Sequence, residues 1–199
     1  MNPDHMDNTV GSQQGNIIIG TLLGDGFLER NGKYVRLVID HGIKQKFYLE
    51  WKRHKLKYLA GKVIKKLRFD SRTGKFYGHC IFRSHSLPNL EDYYVLFYKG
   101  RKKIIPQNLP KIINPQILAV WIMDDGYRRN DCNAMRLNTQ GYSVIEQAII
   151  QKALKTLGLE SRIHKQRKKF VIYIPSDSMN RLRQLVSKLI IPTMKYKIV

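Results

Sequence analysis

The chain has few cysteines and no long apolar run, and each shortage excludes a class of protein. Cys80 and Cys132 are the only two cysteines in 199 residues, which is too few for a disulfide scaffold, and they lack the C-x-x-C spacing of a structural zinc site. The longest apolar stretches end in Asp-Gly before they reach the length of a membrane span. Residues 1–14 lack the basic and apolar regions of a signal peptide, so we expect an intracellular protein without a membrane segment.

Acidic residues are also scarce. The chain has 15 Asp and Glu against 36 Lys and Arg, which gives a formal net charge of +21. An excess of this size predicts a polyanionic partner. Nucleic acid is the partner that we predict first; an anionic membrane surface and a solvated basic face without a partner are the alternatives. Apolar residues make up 43% of the chain, as expected of a folded protein.

The chain does contain a repeated apolar run that ends in Asp-Gly. The two copies, Ile17–Gly26 and Ile117–Gly126, lie one hundred positions apart. We interpret each as a short helix whose last residue is the Asp and whose stop is the Gly, because Gly adopts the left-handed conformation past a helix end at little cost. A carboxylate at a helix C-terminus is disfavoured by up to about 1 kcal/mol. We therefore expect a cation to bind the two carboxylates.

The elements around the two runs repeat in the same order. In the first half we predict a helix at 16–25 with Asn16 as its N-cap, a strand at 33–40, a helix at 46–66, a hairpin at 69–84 and a helix at 90–98. In the second we predict a helix at 115–125 with Asn114 as its N-cap, a strand at 134–140, a helix at 143–157, a hairpin at 162–175 and a helix at 177–189. This predicts a flexible tail at 1–15 and two halves, 16–110 and 111–199, related by a pseudo-two-fold axis.

The two motif aspartates can act together if their helices cross side by side at this axis. Asp25 and Asp125 would then lie close together, and both stay ionised only if a positive charge intervenes. Mg²⁺ fits, because it prefers oxygen ligands and keeps water positions open for substrate phosphates. Bound metal ions can activate a water and stabilise the leaving oxygen of a phosphodiester. One such centre in each half could cut two strands.

The strands supply a reading surface. Basic and amide side chains alternate along them, which suits a sheet lying in the major groove of DNA. Contacts from the many lysines to phosphates would make the affinity depend steeply on salt. The residues predicted to bind DNA are Arg36, Arg72, Lys75, Arg136, Asn138, Lys165, Gln166, Arg167 and Lys169.

The runs Ile18–Gly26 and Leu118–Gly126 resemble the nonapeptide motif of the LAGLIDADG homing endonucleases, in their monomeric two-motif branch. The patterns that match the intron-encoded mitochondrial type are Trp121–Gly126, Leu137–Gln140, Lys103–Pro106, and Ile191-Pro192 before Tyr196-Lys197. The resemblance covers nearly all of the chain after residue 15. It implies an α+β fold of two αββαββα halves, each with an antiparallel saddle-shaped sheet, and with the motif helices at the central interface. It also implies that a monomer cleaves both strands of a long double-stranded DNA site with Mg²⁺, which Mn²⁺ can replace.

The motif also implies which residues hold the metal. The final acidic residue before Gly is the ligand, which gives Asp25 and Asp125. Gly24 and Asp124 would offer backbone carbonyls beside them. The second copy departs from the motif at Val120, where the family has a small Gly.

Other catalytic positions follow from the same resemblance. Lys103 and Lys197 match the family's basic residues near the scissile phosphates. Asp40 and Gln140 match the polar position at the end of the following strand that orients water molecules, and Gln166 is a further match on a later strand. Because Asp40 and Gln140 differ chemically, we expect the two centres to be inequivalent.

Several alternatives remain open. Asp40 with Glu50 and Lys52 has the spacing of a restriction-type nuclease site, but Glu50 and Lys52 fall in a predicted helix. His79-Cys80 and His85 could suggest an HNH or zinc site, but we interpret them as strand and loop residues. The same fold can bind intron RNA as a maturase, or bind DNA without cutting it as a regulator. The compartment is an organelle, mitochondrion or chloroplast, or the cytoplasm of a prokaryote.

Overall fold

The structure, a computed structural model, describes residues 12–199. The chain divides into two compact units, one up to Leu96 and one from Phe97 to Val199. The predicted boundary at 110/111 therefore falls inside the second unit. The segment before it is held by that unit, since Ile105 N–H donates to Glu146 Oε1 at 3.1 Å.

The first unit has the predicted order αββαββα. Its elements are α1 (Gln13–Leu23), β1 (Gly26–Asn31), β2 (Tyr34–Gly42), α2 (Lys46–Lys55), β3 (Gly61–Asp70), β4 (Lys75–Ser84) and α3 (Glu91–Phe97), with 3-10 turns at Ile43–Gln45, Lys57–Leu59 and Pro88–Leu90. The four strands form one antiparallel sheet in the order β1-β2-β4-β3.

The first helix begins earlier than predicted. Ser12, not Asn16, is the N-cap, and its hydroxyl accepts a hydrogen bond from Gly15 N–H at 3.0 Å. The prediction of a flexible tail is therefore wrong over residues 12–15, and its residues 1–11 lie outside the described part of the chain. The Ser hydroxyl pairs one of the backbone donors that a helix start leaves unsatisfied.

The predicted helix at 46–66 is wrong beyond Lys55. Ala60 and Gly61 have φ values of 42° and 142°, which no helix accommodates. Beyond them the chain alternates basic and apolar residues and forms β3 instead. The predicted hairpin is thus longer on its first side, and its two strands pair from Gly61 opposite Ser84 to Asp70 opposite Lys75.

The second unit repeats the same order after a short N-terminal segment. That segment contains β5 (Tyr98–Lys99), β6 (Lys102–Lys103) and α4 (Leu109–Ile112); the repeat then consists of α5 (Pro115–Asp125), β7 (Gly126–Arg128), β8 (Met135–Leu137), α6 (Val144–Thr156), β9 (Arg162–Gln166), β10 (Lys169–Ile174) and α7 (Ser176–Val186). A 3-10 turn at Pro192–Lys197 follows. The sheet order β7-β8-β10-β9 matches that of the first unit.

The helix starts of the second unit follow the sequence prediction. Asn114 Oδ1 accepts hydrogen bonds from Gln116 N–H and Ile117 N–H, both at 3.0 Å. Ser143 and Glu146 form a capping box at the start of α6, in which each side chain bonds the other residue's backbone N–H. These caps fix where the chain leaves each preceding loop and enters the helix.

The strands and the motif helices differ in how much of their surface is buried. In β2, Val35, Leu37 and Ile39 are buried on one face, as the alternation predicts. The motif helices, in contrast, are buried on all sides: every residue from Gly15 to Leu23 in α1 and from Ile117 to Asp124 in α5 is buried. Among residues 12–199, no helix has both the length and the apolar character needed to cross a membrane.

Candidate functional site

The first motif ends differently from the prediction. Helix α1 stops at Leu23, and Gly24 is its C-cap, with its N–H bonded to Gly20 O at 3.2 Å. Asp25 lies in the link between this cap and β1, so it is not the last helical residue. Its side chain is 39% exposed, which leaves carboxylate oxygen accessible at the junction.

The second motif ends as predicted, with Asp125 as the last residue of α5 and Gly126 as its cap. The predicted reason for the glycines is wrong, because Gly126 has a φ of −68° and Gly26 is not among the described glycines with positive φ. A Cβ on Gly26 would lie 2.9 Å from Thr21 O, and one on Gly126 would lie 2.6 Å from Ile122 O. Glycine is needed here because each strand starts directly against the carbonyls of the preceding helix.

His41 is a site residue that the sequence analysis missed. It is buried on β2, and its Nδ1 lies 3.3 Å from Asp25 Oδ2. Its Nε2 lies 3.5 Å from Nζ of Lys52, which is fully buried on α2. Lys52 Nζ also lies 4.5 Å from the ring centroid of Tyr48. A signal was present in the sequence: Lys52 stands at helical spacing in an otherwise apolar stripe that includes Tyr48 and Leu56.

Asp40, which the resemblance assigned to this position, is engaged elsewhere. Its Oδ2 accepts a hydrogen bond from Arg68 Nη2 at 2.7 Å, and its Oδ1 lies 2.8 Å from His79 Nδ1. Alternation along β2 puts Asp40 and His41 on opposite faces of the sheet. The structure therefore places His41, not Asp40, against the motif aspartate. Asp40 instead links three strands of the polar face.

Strand register also corrects the predicted equivalence of Asp40 and Gln140. Gly26 pairs with Ile39 in the first sheet, and Gly126 pairs with Leu137 in the second. Because the two glycines are equivalent, Ile39 corresponds to Leu137. Asp40 therefore corresponds to Asn138, the residue after Leu137, and not to Gln140. The first hairpin is two residues longer than the second, which sequence spacing alone could not reveal.

Polar groups surround the end of α5. Lys197 is buried, and its Nζ donates a hydrogen bond to Asp124 O at 2.7 Å. This ammonium weighs against Asp124 O as a ligand for a cation. Asn138 N–H donates to Asp125 O at 3.1 Å. Burial, followed by the charge of Asp125, raises the pKa of Tyr142, so that its hydroxyl stays protonated beside the motif.

Two other predicted catalytic side chains of the second unit, Lys103 and Gln140, lie before and after the motif helix in the chain. Lys103 ends β6, directly before the segment that Glu146 holds through Ile105 N–H. Gln140 Nε2 lies 3.3 Å from Gln166 Oε1, so these two predicted residues are neighbours. The structure thus brings Gln140 to the sheet edge where Gln166 lies.

The polar face of the second sheet contains more nucleic-acid candidates than predicted. Cross-strand register aligns Arg136 with Tyr127 and Tyr173, and Tyr173 with Arg162. The ring of His164 stacks on that of Tyr173, with centroids 4.3 Å apart. Burial lowers the pKa of His164, and the charges of Arg136 and Arg162 lower it further. The face therefore combines two guanidinium groups with aromatic surface, and sequence reasoning identified only Arg136 among them.

The other predicted DNA-binding residues of this sheet lie at its hairpin end. Lys169 pairs with Gln166 at the end of the β9–β10 ladder, and Arg167 occupies the turn with a φ of 56°. Lys165 pairs with Phe170. Because side chains alternate along β9, Lys165 lies on the opposite face from Arg162 and Gln166. The structure therefore places Lys165 on the opposite face from Arg136.

In the first sheet, the predicted basic residues are largely paired with acids. Arg36 Nε donates to Glu29 Oε1 at 2.7 Å, and Arg72 Nη2 donates to Asp70 Oδ2 at 2.9 Å at the β3–β4 turn. The hydrogen bonds from Arg72 hold the pKa of Asp70 below its usual value. Lys75 begins β4 beside this turn and is exposed. These pairs hold the basic groups in defined positions on the surface.

Comparisons with known proteins agree with this geometry. The model of the LAGLIDADG DNA endonuclease family matches residues 15–182. DNA endonuclease I-ChuI of Chlamydomonas applanata is 31% identical, and the match covers 94% of each chain. Cytochrome b mRNA maturase bI2 of Saccharomyces cerevisiae is 29% identical over 99% of this chain but only 50% of its own length. The solved structure of the homing endonuclease I-WcaI bound to its DNA recognition sequence superposes with a TM-score of 0.88 at 24% identity, covering 100% of this chain and 95% of that one.

Proposed function

The chain belongs to the LAGLIDADG DNA endonuclease family, and from this premise we propose that it is a site-specific homing endonuclease that makes a double-strand break in a long DNA target by Mg²⁺-dependent hydrolysis. One observation carries the proposal. Each unit presents an aspartate, Asp25 or Asp125, where its buried motif helix passes into the first strand of an antiparallel sheet. Both copies are intact, which supports two working centres, each assigned to one strand of the duplex.

The donor groups at the first junction fit a hard cation. Asp25 offers a partly exposed carboxylate, and the carbonyl of Gly24 precedes it in the same link. Oxygen donors of this kind are those that Mg²⁺ prefers. When bound, the ion would supply an activated water and charge stabilisation for the leaving oxygen. In the second unit Asp125 is the candidate ligand, with Tyr142 kept neutral nearby.

The chain's own residues orient the rest of each centre. Lys197 places its ammonium at the C-terminal end of α5, where it fixes the last turn and supplies positive charge for a phosphate. Lys103 stands on a short hairpin whose continuation is anchored to α6. The net charge of +21 and the polar sheet faces provide the electrostatic attraction and the contacts for a long duplex site.

The motif aspartates provide the first test. Asp25→Asn and Asp125→Asn should each abolish linearisation of a plasmid that carries the target, because an amide cannot replace the charge of a carboxylate ligand. Affinity for the DNA, measured in Ca²⁺ by gel shift, should stay close to that of the unaltered protein. Asp92→Asn, which makes the same change at an exposed residue of α3, is the control and should cut normally. Linearisation by either motif variant would refute the mechanism.

The lysines provide a second test. Lys103→Ala and Lys197→Ala should slow single-turnover cleavage more than they weaken binding, because the proposal assigns their charge to the transition state. Equal losses in rate and affinity would instead identify them as phosphate anchors. The target itself can be found by selecting cleaved sites from a randomised duplex library with Mg²⁺.

An intron RNA maturase is the second candidate, favoured by the match to the yeast maturase over nearly the whole of this chain. In that case the chain should bind a structured intron RNA with an affinity comparable to its DNA affinity, and Asp25→Asn should leave RNA binding unchanged. We also propose that the protein is a monomer inside an organelle or a prokaryotic cell. Sedimentation equilibrium, in which a dimer would appear at twice the chain mass, tests the first of these points.

A further inference from the structure

A buried lysine lies behind the first motif aspartate. Lys52, on α2, is 0% exposed, and its Nζ lies 3.5 Å from Nε2 of His41. On the other side of the imidazole, Nδ1 lies 3.3 Å from Asp25 Oδ2. Ammonium, imidazole and carboxylate therefore form a line that runs from the core of the first unit to the partly exposed junction.

The order of these groups restricts the tautomer of His41. An ammonium group is a donor only, so it favours a lone pair on the nitrogen that faces it. Nε2 of His41 then carries the lone pair, and the ring N–H is on Nδ1, the nitrogen that faces Asp25. A ring in this tautomer has its N–H on the side of the carboxylate, 3.3 Å from Asp25 Oδ2, and partners behind a ligand commonly fix the ring in this way in metal sites.

A structural role alone does not explain the lysine. Burial of a charged group is costly, and the neighbouring positions of α2 that face the core, such as Tyr48 and Leu49, are apolar or aromatic. Replacement of a whole buried ionic cluster by apolar residues of similar volume is often neutral or stabilising, so a buried charge is weak evidence for a stabilising role. The Tyr48 ring, 4.5 Å from Nζ, partly compensates the desolvated charge. The cation is therefore retained at some cost.

The second unit has a neutral pair at the equivalent place. Strand register makes Thr139 the counterpart of His41. Thr139 Oγ1 donates to Gln147 Oε1 at 2.8 Å, and Gln147 Nε2 donates to the backbone carbonyl of Thr139 at 2.6 Å; both residues are buried. The second unit thus has uncharged side chains at the place where the first has His41 and the charged Lys52 behind it.

We propose that Lys52 is a positioning residue for the Asp25 centre, which holds His41 in the tautomer that presents Nδ1–H to the Asp25 carboxylate. This inference rests on the proposed function, in which each centre cuts one strand. Loss of Lys52 then impairs one of the two cuts and leaves the other intact.

The test is Lys52→Met, which removes the charge and keeps the volume. We expect cleavage of one strand, followed on a duplex labelled separately on each strand, to slow by about tenfold, within the range seen for partners behind metal ligands. Cleavage of the other strand should be unchanged, so nicked plasmid accumulates. The thermal midpoint should fall by no more than the loss of one buried hydrogen bond, since His41 Nε2 loses this donor. Lys57→Met, which removes an exposed lysine just beyond α2, is the matched control and should show no strand bias.

Nitrogen NMR of the metal-free protein gives a readout that is independent of cleavage. His41 in the unaltered protein should show protonated Nδ1 and unprotonated Nε2, and Lys52→Met should move the ring toward the other tautomer. Equal slowing of both strands, no slowing, or a proton on Nε2 in the unaltered protein would each overturn the proposal. If the unaltered protein cuts no DNA at all, the proposed function fails, while the NMR result still decides the role of Lys52.

Discussion

Glu146 allows a prediction whose size can be worked from the structure. Its carboxylate accepts hydrogen bonds from Ser143 N–H at 2.8 Å, Ser143 Oγ at 2.7 Å and Ile105 N–H at 3.1 Å. Glu146→Ala removes half of the capping box, worth about 1 kcal/mol. It also leaves the buried N–H of Ile105 without this acceptor, at a cost of about 1–3 kcal/mol. We therefore expect the free energy of unfolding to fall by about 2–4 kcal/mol at neutral pH.

The pH dependence gives this prediction a signature. Burial opposes ionisation of Glu146, but the hydrogen bonds from Ser143 and Ile105 outweigh it, and the net pKa lies below the ordinary value of 4.5. A carboxylate with a lowered pKa contributes stability that is complete above its unfolded pKa and is lost as the pH falls through the folded pKa. The difference between Glu146→Ala and the unaltered protein should therefore shrink as the pH falls below 4.5.

Urea unfolding followed by far-UV circular dichroism and tryptophan fluorescence measures the effect. Trp51 lies in the first unit and Trp121 in the second, so Trp51→Phe leaves a signal from the second unit alone. Glu160→Ala, at an exposed residue of the same unit, is the control and should lie within about 0.5 kcal/mol of the unaltered protein. A loss below about 1 kcal/mol for Glu146→Ala, or one that persists unchanged in acid, would refute the argument.

Two further predictions concern the motif glycine and the thiols. Gly126→Ala should destabilise the protein by about 1–3 kcal/mol, because the added Cβ would lie 2.6 Å from Ile122 O. Gly141→Ala is the control and should be tolerated, because a Cβ there would meet no neighbouring atom within 4 Å. Equal melting temperatures of the two variants would contradict this prediction. Cys132 is exposed and Cys80 is buried, with its pKa raised by burial, so an aromatic disulfide reagent should titrate one thiol in the folded protein and two in denaturant. Release of two thiols from the folded protein would show that β4 is open.

Much of the fold followed from local signals. The start of α5 at Asn114-Pro115 and the start of α6 at Ser143 were predicted because caps and turns act over a few residues. The full order αββαββα was implied by the family resemblance. The errors arose where local signals conflict. Residues 56–66 have apolar residues at helical spacing, Leu56, Leu59 and Val63, but the positive φ at Ala60 and Gly61 ends the helix and the strand follows.

The sequence by itself determined the family, the two acidic junctions, the basic charge and the order of the elements, because these depend on composition and on neighbours in the chain. The side chains that meet at the first junction were decided only by the tertiary structure. Alternation along β2, fixed by the pairing of that strand with β1, puts His41 rather than Asp40 against Asp25. Packing of α2 on the sheet then brings Lys52 to His41 from eleven residues away, and such contacts follow from register and burial, which no local pattern specifies.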